Sequence, residues 1–192
     1  VDPKKAYDLA KEFDSETVAD SRSLVGREDI DAVVVAVANK FSVPIVVEAL
    51  KHSKHVLCEK PLGRNAREAE LALRAASKYK RILQVGFNHR FHAAIARARE
   101  IFEKGGIGDL MFIRARYGHG GRIGLEKEWR FRKDISGGGE LLDQGIHIID
   151  LARWFGGEPE EVYGLAQNKF WKTKLEDNAF VTMKNKKVTT FF

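Results

Sequence analysis

Apolar residues recur at two different periods along this chain, and the period changes partway. Between Pro3 and Phe13, Ala6, Leu9, Ala10 and Phe13 fall on one face of a helix. Ala32 to Ala38 is an unbroken apolar, largely β-branched run with no polar alternation, the pattern of a parallel strand covered on both faces. Phe41 to Lys51 reads as the next helix and His55 to Cys58 as a short strand. From Asn65 to Tyr79 alanines and leucines recur at helical spacing, with Asn65 placed to cap the helix and Glu68 three residues on. Arg81 to Phe87 is a further strand. Strands separated by helices of this length predict βαβ units and a parallel sheet.

After Phe87 the pattern differs. Phe91 to Lys104 predicts a helix stopped by Gly105-Gly106. Asp109 to Tyr117 has a long strand pattern, and Gly118 to Asp134 reads as loop. Ser136-Gly137-Gly138-Gly139 opens a helix from about Glu140 to Phe155, followed by strands at Glu161 to Phe170, Asn178 to Met183 and Lys187 to Phe192. The fold class is therefore α/β: a partial Rossmann-type parallel sheet, then an α+β part with a mostly antiparallel sheet. The domains are expected at 1–87 and 88–192, the first N-terminally and the second C-terminally truncated. A doubly wound domain normally opens with a strand and a glycine-rich turn, whereas here the chain begins near Val1-Asp2-Pro3, which reads as a strand end.

Composition narrows the setting without naming a function. The 192 residues carry 33 basic and 27 acidic side chains, a net charge of +6. These charges are interleaved, which describes a solvated surface and not a nucleic-acid-binding stripe. The longest apolar run is seven residues, against about 20 for a membrane helix, so no membrane span is expected. One cysteine, Cys58, excludes an internal disulfide, and the first residues hold no apolar signal segment. A cytoplasmic location is the expectation.

Two groups of residues could carry chemistry. Glu59-Lys60-Pro61 follows the strand His55 to Cys58 directly, and ligands in open parallel sheets bind beyond the carboxyl ends of the strands. Lys60 is either a group facing a substrate or half of an exposed Glu–Lys pair before a turn proline. In the second group, Gly137 to Asp150, Asp143 and His147 are four apart on one helix face, and Asp150 continues the stripe. A histidine held by a carboxylate, with a pKa near neutrality, can act as a general base, or the two can be a surface pair. No metal is expected: His52, His55, Cys58 and Glu59 straddle a helix end and a strand and should diverge. Asp143, His147 and Asp150 as a helical metal stripe is the weaker reading.

The order of these segments resembles the Gfo/Idh/MocA oxidoreductases, which include glucose–fructose oxidoreductase and inositol dehydrogenase. The likeness runs through Asp31 to Val37, His55 to Leu62, Gln84 to Phe91, Trp129-Arg130, Gly137 to Asp150 and Glu176 to Ala179. It implies a dehydrogenase or reductase moving a hydride between NAD or NADP and a sugar, cyclitol or related polyol. It also implies that Lys60, Asp143 and His147 are the catalytic group, with His147 taking the hydroxyl proton, Lys60 stabilising the developing negative oxygen, and Asp143 orienting the site and balancing Lys60. Ala38, Asn39, Glu59, Lys60, Asn88, Trp129 and Arg130 fall where members of the family contact the cofactor. In the complete protein a homo-oligomer through the C-terminal sheet is expected.

The chain departs from that family in places. The turn Val37 to Ser42 lacks the proline and histidine of the usual Thr-Pro-Asn-x-x-His, and no glycine-rich phosphate loop is present. The 192 residues alone are thus expected to bind NAD(P) weakly or not at all. The acid that would read the cofactor ribose is not identifiable at Asp2, which leaves NAD or NADP open. A nucleotide-sugar or keto-sugar reductase, or a non-catalytic ligand sensor on the same fold, are the rival readings. Arg116, Tyr117, His119 and Arg122 are candidates to line a hydroxyl-rich site or are ordinary exposed residues. The Lys60-Pro61 bond is expected to form a turn of unusual geometry, a cis peptide among the options.

Overall fold

In the computed structural model residues 2–118 and 120–192 are described, so the strand-end expectation at Val1 and the site-lining expectation at His119 lie outside the described residues. Helices α1 (Pro3–Glu12) and α2 (Ser21–Val25) precede strand β1 (Ala32–Val35); helix α3 (Asn39–Lys51), strand β2 (His55–Cys58), helix α4 (Ala66–Tyr79) and strand β3 (Leu83–Val85) follow. The three strands pair in the order β1-β2-β3, all parallel. Asn65 caps α4 as its position predicts, its Oδ1 accepting the Glu68 N–H at 3.0 Å.

The valine-rich strand is covered on one face only. Val33 and Val35 are buried with Val46, Ala49 and Leu50 of α3 and Ala72 and Ala75 of α4, and this cluster is the first core. Val34 of β1 is 69% exposed and Leu57 of β2 is 41% exposed. That corrects the expectation of two covered faces: α3 and α4 pack against the same side, and β-branched content alone does not report how many sides are packed.

Helix α5 (Ala93–Glu103) leads to strand β4 (Phe112–Arg114), then to 3₁₀ turns, helix α6 (Lys133–Ser136), helix α7 (Ile146–Gly156) and strands β5 (Glu161–Gln167), β6 (Asn178–Lys184) and β7 (Thr189–Phe191). The second sheet has the order β4-β7-β6-β5. Its β5–β6 and β6–β7 pairs are antiparallel and its β4–β7 pair is parallel, so the sheet is mixed with an antiparallel majority. One face packs on α7, where Ala152 meets Val181 and Met183. The strand expected over Asp109 to Tyr117 is ordered as a strand only where β7 offers a partner, at Phe112–Arg114. Helix α2 carries no apolar periodicity that would announce it; an Asp20 cap starts it.

Candidate functional site

The carboxyl ends of the three parallel strands lie abreast, since Val35 is in register with Cys58 and Cys58 with Val85. The residues after them are therefore neighbours: Ala38 at the start of α3, Glu59 and Lys60 after β2, and Asn88 in the 3₁₀ turn Asn88–Phe91 after β3. The Lys60-Pro61 peptide is cis. The Glu59 carboxylate accepts the Lys60 N–H at 3.2 Å. Gly86 belongs to this rim because a Cβ there would stand 3.2 Å from Glu59 Oε1.

From the other half of the chain, the Ser-Gly-Gly-Gly segment is held by close backbone approach. Gly137 has a φ of +89°, and a Cβ on it would come within 2.4 Å of Arg64 Cβ. Gly139 N–H donates to Glu176 Oε1 at 2.8 Å, and Glu140 N–H to the Glu176 carbonyl at 3.0 Å. The chain then enters α7 through a π-helical turn, Leu141–Gly145, in place of the regular helix start expected there. Such wide turns recur at functional sites because they re-aim side chains.

Lys60 and Asp143, 83 residues apart, meet here. Lys60 Nζ donates to Asp143 Oδ1 at 2.8 Å and to the Asp143 carbonyl at 2.6 Å. Both side chains are largely shielded from solvent. Arg130 approaches the other carboxylate oxygen at 3.3 Å while its guanidinium lies 4.8 Å from the Trp129 ring centroid. Trp129 and Arg130 therefore join the group. Asn39 is buried, and its amide donates to the Ser136 carbonyl at 2.8 Å, so it ties the sheet to the glycine segment.

His147 is buried one turn beyond Asp143. The expected hold of the carboxylate on the imidazole is corrected: Asp143 is engaged by Lys60 and Arg130, and His147 Nδ1 is buried without a hydrogen-bond partner among the described residues. Burial pushes the His147 pKa down to about 4, and His89 and Lys60 add to this against the opposing pull of Asp143 and Asp150. The imidazole is thus neutral near pH 7, well below the near-neutral value the sequence suggests. Its ring stacks on His89 with centroids 3.9 Å apart. Sequence reasoning passed over His89, although it lies inside the Asn88-His89-Arg90-Phe91 segment. Asp150 does not continue a ligand stripe, because both its oxygens accept from Arg90, at 2.6 and 2.7 Å.

Among the described residues no three His, Cys, Asp or Glu side chains are grouped to hold a metal. His52 bonds Glu48 at 3.1 Å, while His55 Nδ1 accepts the Ile82 N–H at 3.1 Å. Tyr117 reaches the site, 5.2 Å from the His89 centroid. Arg122 pairs with Glu128 instead, and Arg116 is exposed. Asp177 organises the loop before β6, accepting the N–H groups of Lys169, Phe170 and Trp171. An arrangement of this kind offers a buried proton acceptor beside a cation, at the mouth of a parallel sheet.

The family model for the NAD-binding Rossmann fold of the Gfo/Idh/MocA oxidoreductases matches residues 1–87, and that for the GFO/IDH/MocA C-terminal domain matches residues 95–191. Levoglucosan dehydrogenase from Pseudarthrobacter phenanthrenivorans is 34% identical over 159 residues, covering 81% of this chain and 41% of that protein. Inositol 2-dehydrogenase from Rubrobacter xylanophilus is 30% identical over 171 residues, 88% of this chain and 46% of that one. A levoglucosan dehydrogenase structure in complex with NADH and levoglucosan superposes with a TM-score of 0.90 at 28% identity, covering 99% of this chain and 55% of that one. The chain spans about half the length of the curated relatives it matches.

Proposed function

Because this chain belongs to the Gfo/Idh/MocA family of NAD-binding oxidoreductases, we propose that the whole protein is a dehydrogenase or reductase acting on a hydroxyl-bearing carbon of a sugar, cyclitol or related polyol, and that Lys60, Asp143 and His147 are its catalytic group. The observation that carries this reading is the meeting of Lys60 with Asp143 beside a buried histidine with an unpartnered nitrogen. A ligand sensor has no need of such a set.

The residues around the strand ends suit a dinucleotide. The N-terminus of α3 opens at Ala38 with no side-chain cap, so its positive end faces the strand ends where a polar ligand would lie, and the Gly86 backbone lies close against Glu59. Ala38, Asn39, Glu59, Lys60, Asn88, Trp129 and Arg130 would hold the cofactor, Asn39 through its backbone since its amide is used on Ser136. When bound, nicotinamide supplies the hydride acceptor or donor.

The protein's own groups handle the proton and the charge. His147 is neutral at working pH and keeps a lone pair for the substrate hydroxyl proton. Lys60 has three N–H donors, and Asp143 takes two of them, so the third is left for the substrate oxygen as negative charge grows on it. Asp143 fixes the Lys60 ammonium and is itself held by Arg130. In the reverse direction the same imidazole, once protonated, returns the proton.

We also place the protein in the cytoplasm as a homo-oligomer. In support of the second point, Phe112, Tyr163, Leu165, Phe180 and Phe191 form an exposed apolar face on the side of the second sheet away from α7.

The test is cofactor reduction at 340 nm by the whole protein with NAD and NADP against a panel of sugars and cyclitols. Lys60→Ala and His147→Ala should each lower kcat about 10²–10⁴-fold, the usual effect of losing a general base or its electrostatic partner. His147→Ala should leave cofactor affinity little changed. Near-normal turnover in His147→Ala would remove the base assignment.

A further inference from the structure

Nδ1 of His147 has no polar partner among the described residues to orient the ring. A histidine used in proton transfer is usually fixed by a hydrogen bond to its second nitrogen. Here Nδ1 is buried and has no partner among the described residues. What holds the ring is packing. His89 lies flat against it, with centroids 3.9 Å apart and planes 21° apart. Phe87 meets its edge at 6.3 Å and Tyr117 another edge at 6.3 Å, while Tyr117 also meets His89 at 5.2 Å. His89 sits in the turn directly after β3, so its position is set by the sheet.

We propose that His89 is a positioning residue for proton transfer: its imidazole, stacked on that of His147, fixes the plane in which His147 meets the substrate hydroxyl and adds to the burial that keeps His147 in the neutral, proton-accepting form. This rests on His147 being the base. Two imidazolium rings at 3.9 Å repel strongly, so the pair holds at most one positive charge. The other charges facing the pair are Lys60 after β2, His92 beyond His89, Asp143 in the π turn and Asp150 on α7. Both carboxylates are already committed, Asp143 to Lys60 and Arg130 and Asp150 to Arg90. Neither is free to hold a charged His147. A plain packing role for His89 would be served by any flat apolar ring.

The experiment is an NMR titration of the histidine ring carbons in wild type, His89→Phe and His89→Ala. His89→Phe keeps a flat ring and the burial, the larger cause, and removes only the titratable group, so the His147 midpoint should rise modestly above about 4 with the Phe87–His147 ring contact retained. His89→Ala should raise it further and lose that contact. A His147 midpoint that does not move in either variant would overturn the proposal. Turnover of His147→Ala, measured alongside, separates the two readings. If it is retained, the base assignment fails and this inference with it. If it is lost while the titrations stay put, only the role of His89 fails.

Discussion

Acid should weaken this fold through His147 in a way that can be isolated. The imidazole is 5% exposed, and burial, reinforced by His89 and Lys60, lowers its pKa from 6.5 to about 4. The unfolded chain accepts a proton near pH 6.5, whereas the folded chain refuses it until about pH 4. Stability is therefore whole above about 6.5, falls as the pH drops through that window, and levels off below about 4. At about 1.4 kcal/mol per factor of ten in proton affinity, the full effect is about 3 kcal/mol, of which about 2 kcal/mol is lost by pH 5. The assay is urea denaturation at pH 7.5 and pH 5.0 in wild type and His147→Gln. Wild type should lose about 2 kcal/mol more than the variant over that interval. His89, whose pKa is also lowered, first by burial and then by Lys60 and His92, adds in the same direction in both proteins. Carboxylates elsewhere titrate alike in both proteins and cancel. Equal losses in the two proteins would refute the reasoning, because they would mean that His147 takes its proton as easily folded as unfolded.

Two further outcomes concern the joint between the halves. Asn39→Ala removes a buried hydrogen bond and leaves the Ser136 carbonyl without that donor, so it should cost about 1–3 kcal/mol in a urea melt. Gly137→Ala must place a Cβ at a φ of +89° against the Arg64 backbone and Cβ, so it should lower stability by about 3 kcal/mol or more; a melt within about 0.5 kcal/mol of wild type would show that the segment can move aside.

The parallel sheet was legible because each of its strands is a short apolar run followed or preceded by a helix of clear periodicity, and Asn65 even marks the cap of α4. The second sheet was legible in number of strands but not in extent. Residues 109–111 and 115–117 have the alternation of a strand but lie outside the register paired with β7, and pairing is a tertiary property that no local pattern carries. Lys60, Asp143 and His147 were found by position after a strand and by helical spacing. The π turn and the diversion of Asp143 to Lys60 were not, since spacing assumes a regular helix and is silent on which neighbour wins a carboxylate. His89 had a signal, a histidine directly after a strand end, yet nothing in the sequence says that two rings 58 positions apart will stack.

The features that escaped the sequence share a cause: each lies where the two halves touch. Asn39 reaches Ser136, Arg64 reaches the Asp134 carbonyl at 2.7 Å and crowds Gly137, and Lys60 reaches Asp143. All three links start from the carboxyl side of the first sheet and end within ten residues of one another, in the stretch from Asp134 to Asp143. That stretch contains three consecutive glycines, whose missing side chains allow backbone to approach backbone, as Gly139 does with Glu176. The glycines therefore act on the chemistry at a distance. They let the second half close on the first tightly enough for a lysine on one and an aspartate on the other to bond, and His147 is carried into the buried space beside them. On this view a substitution in the glycine segment and one in the catalytic group damage the same geometry, the first by opening the joint and the second by emptying it. The two should be told apart by folding assays at pH 7.5, where the glycine variants register more strongly than His147→Gln.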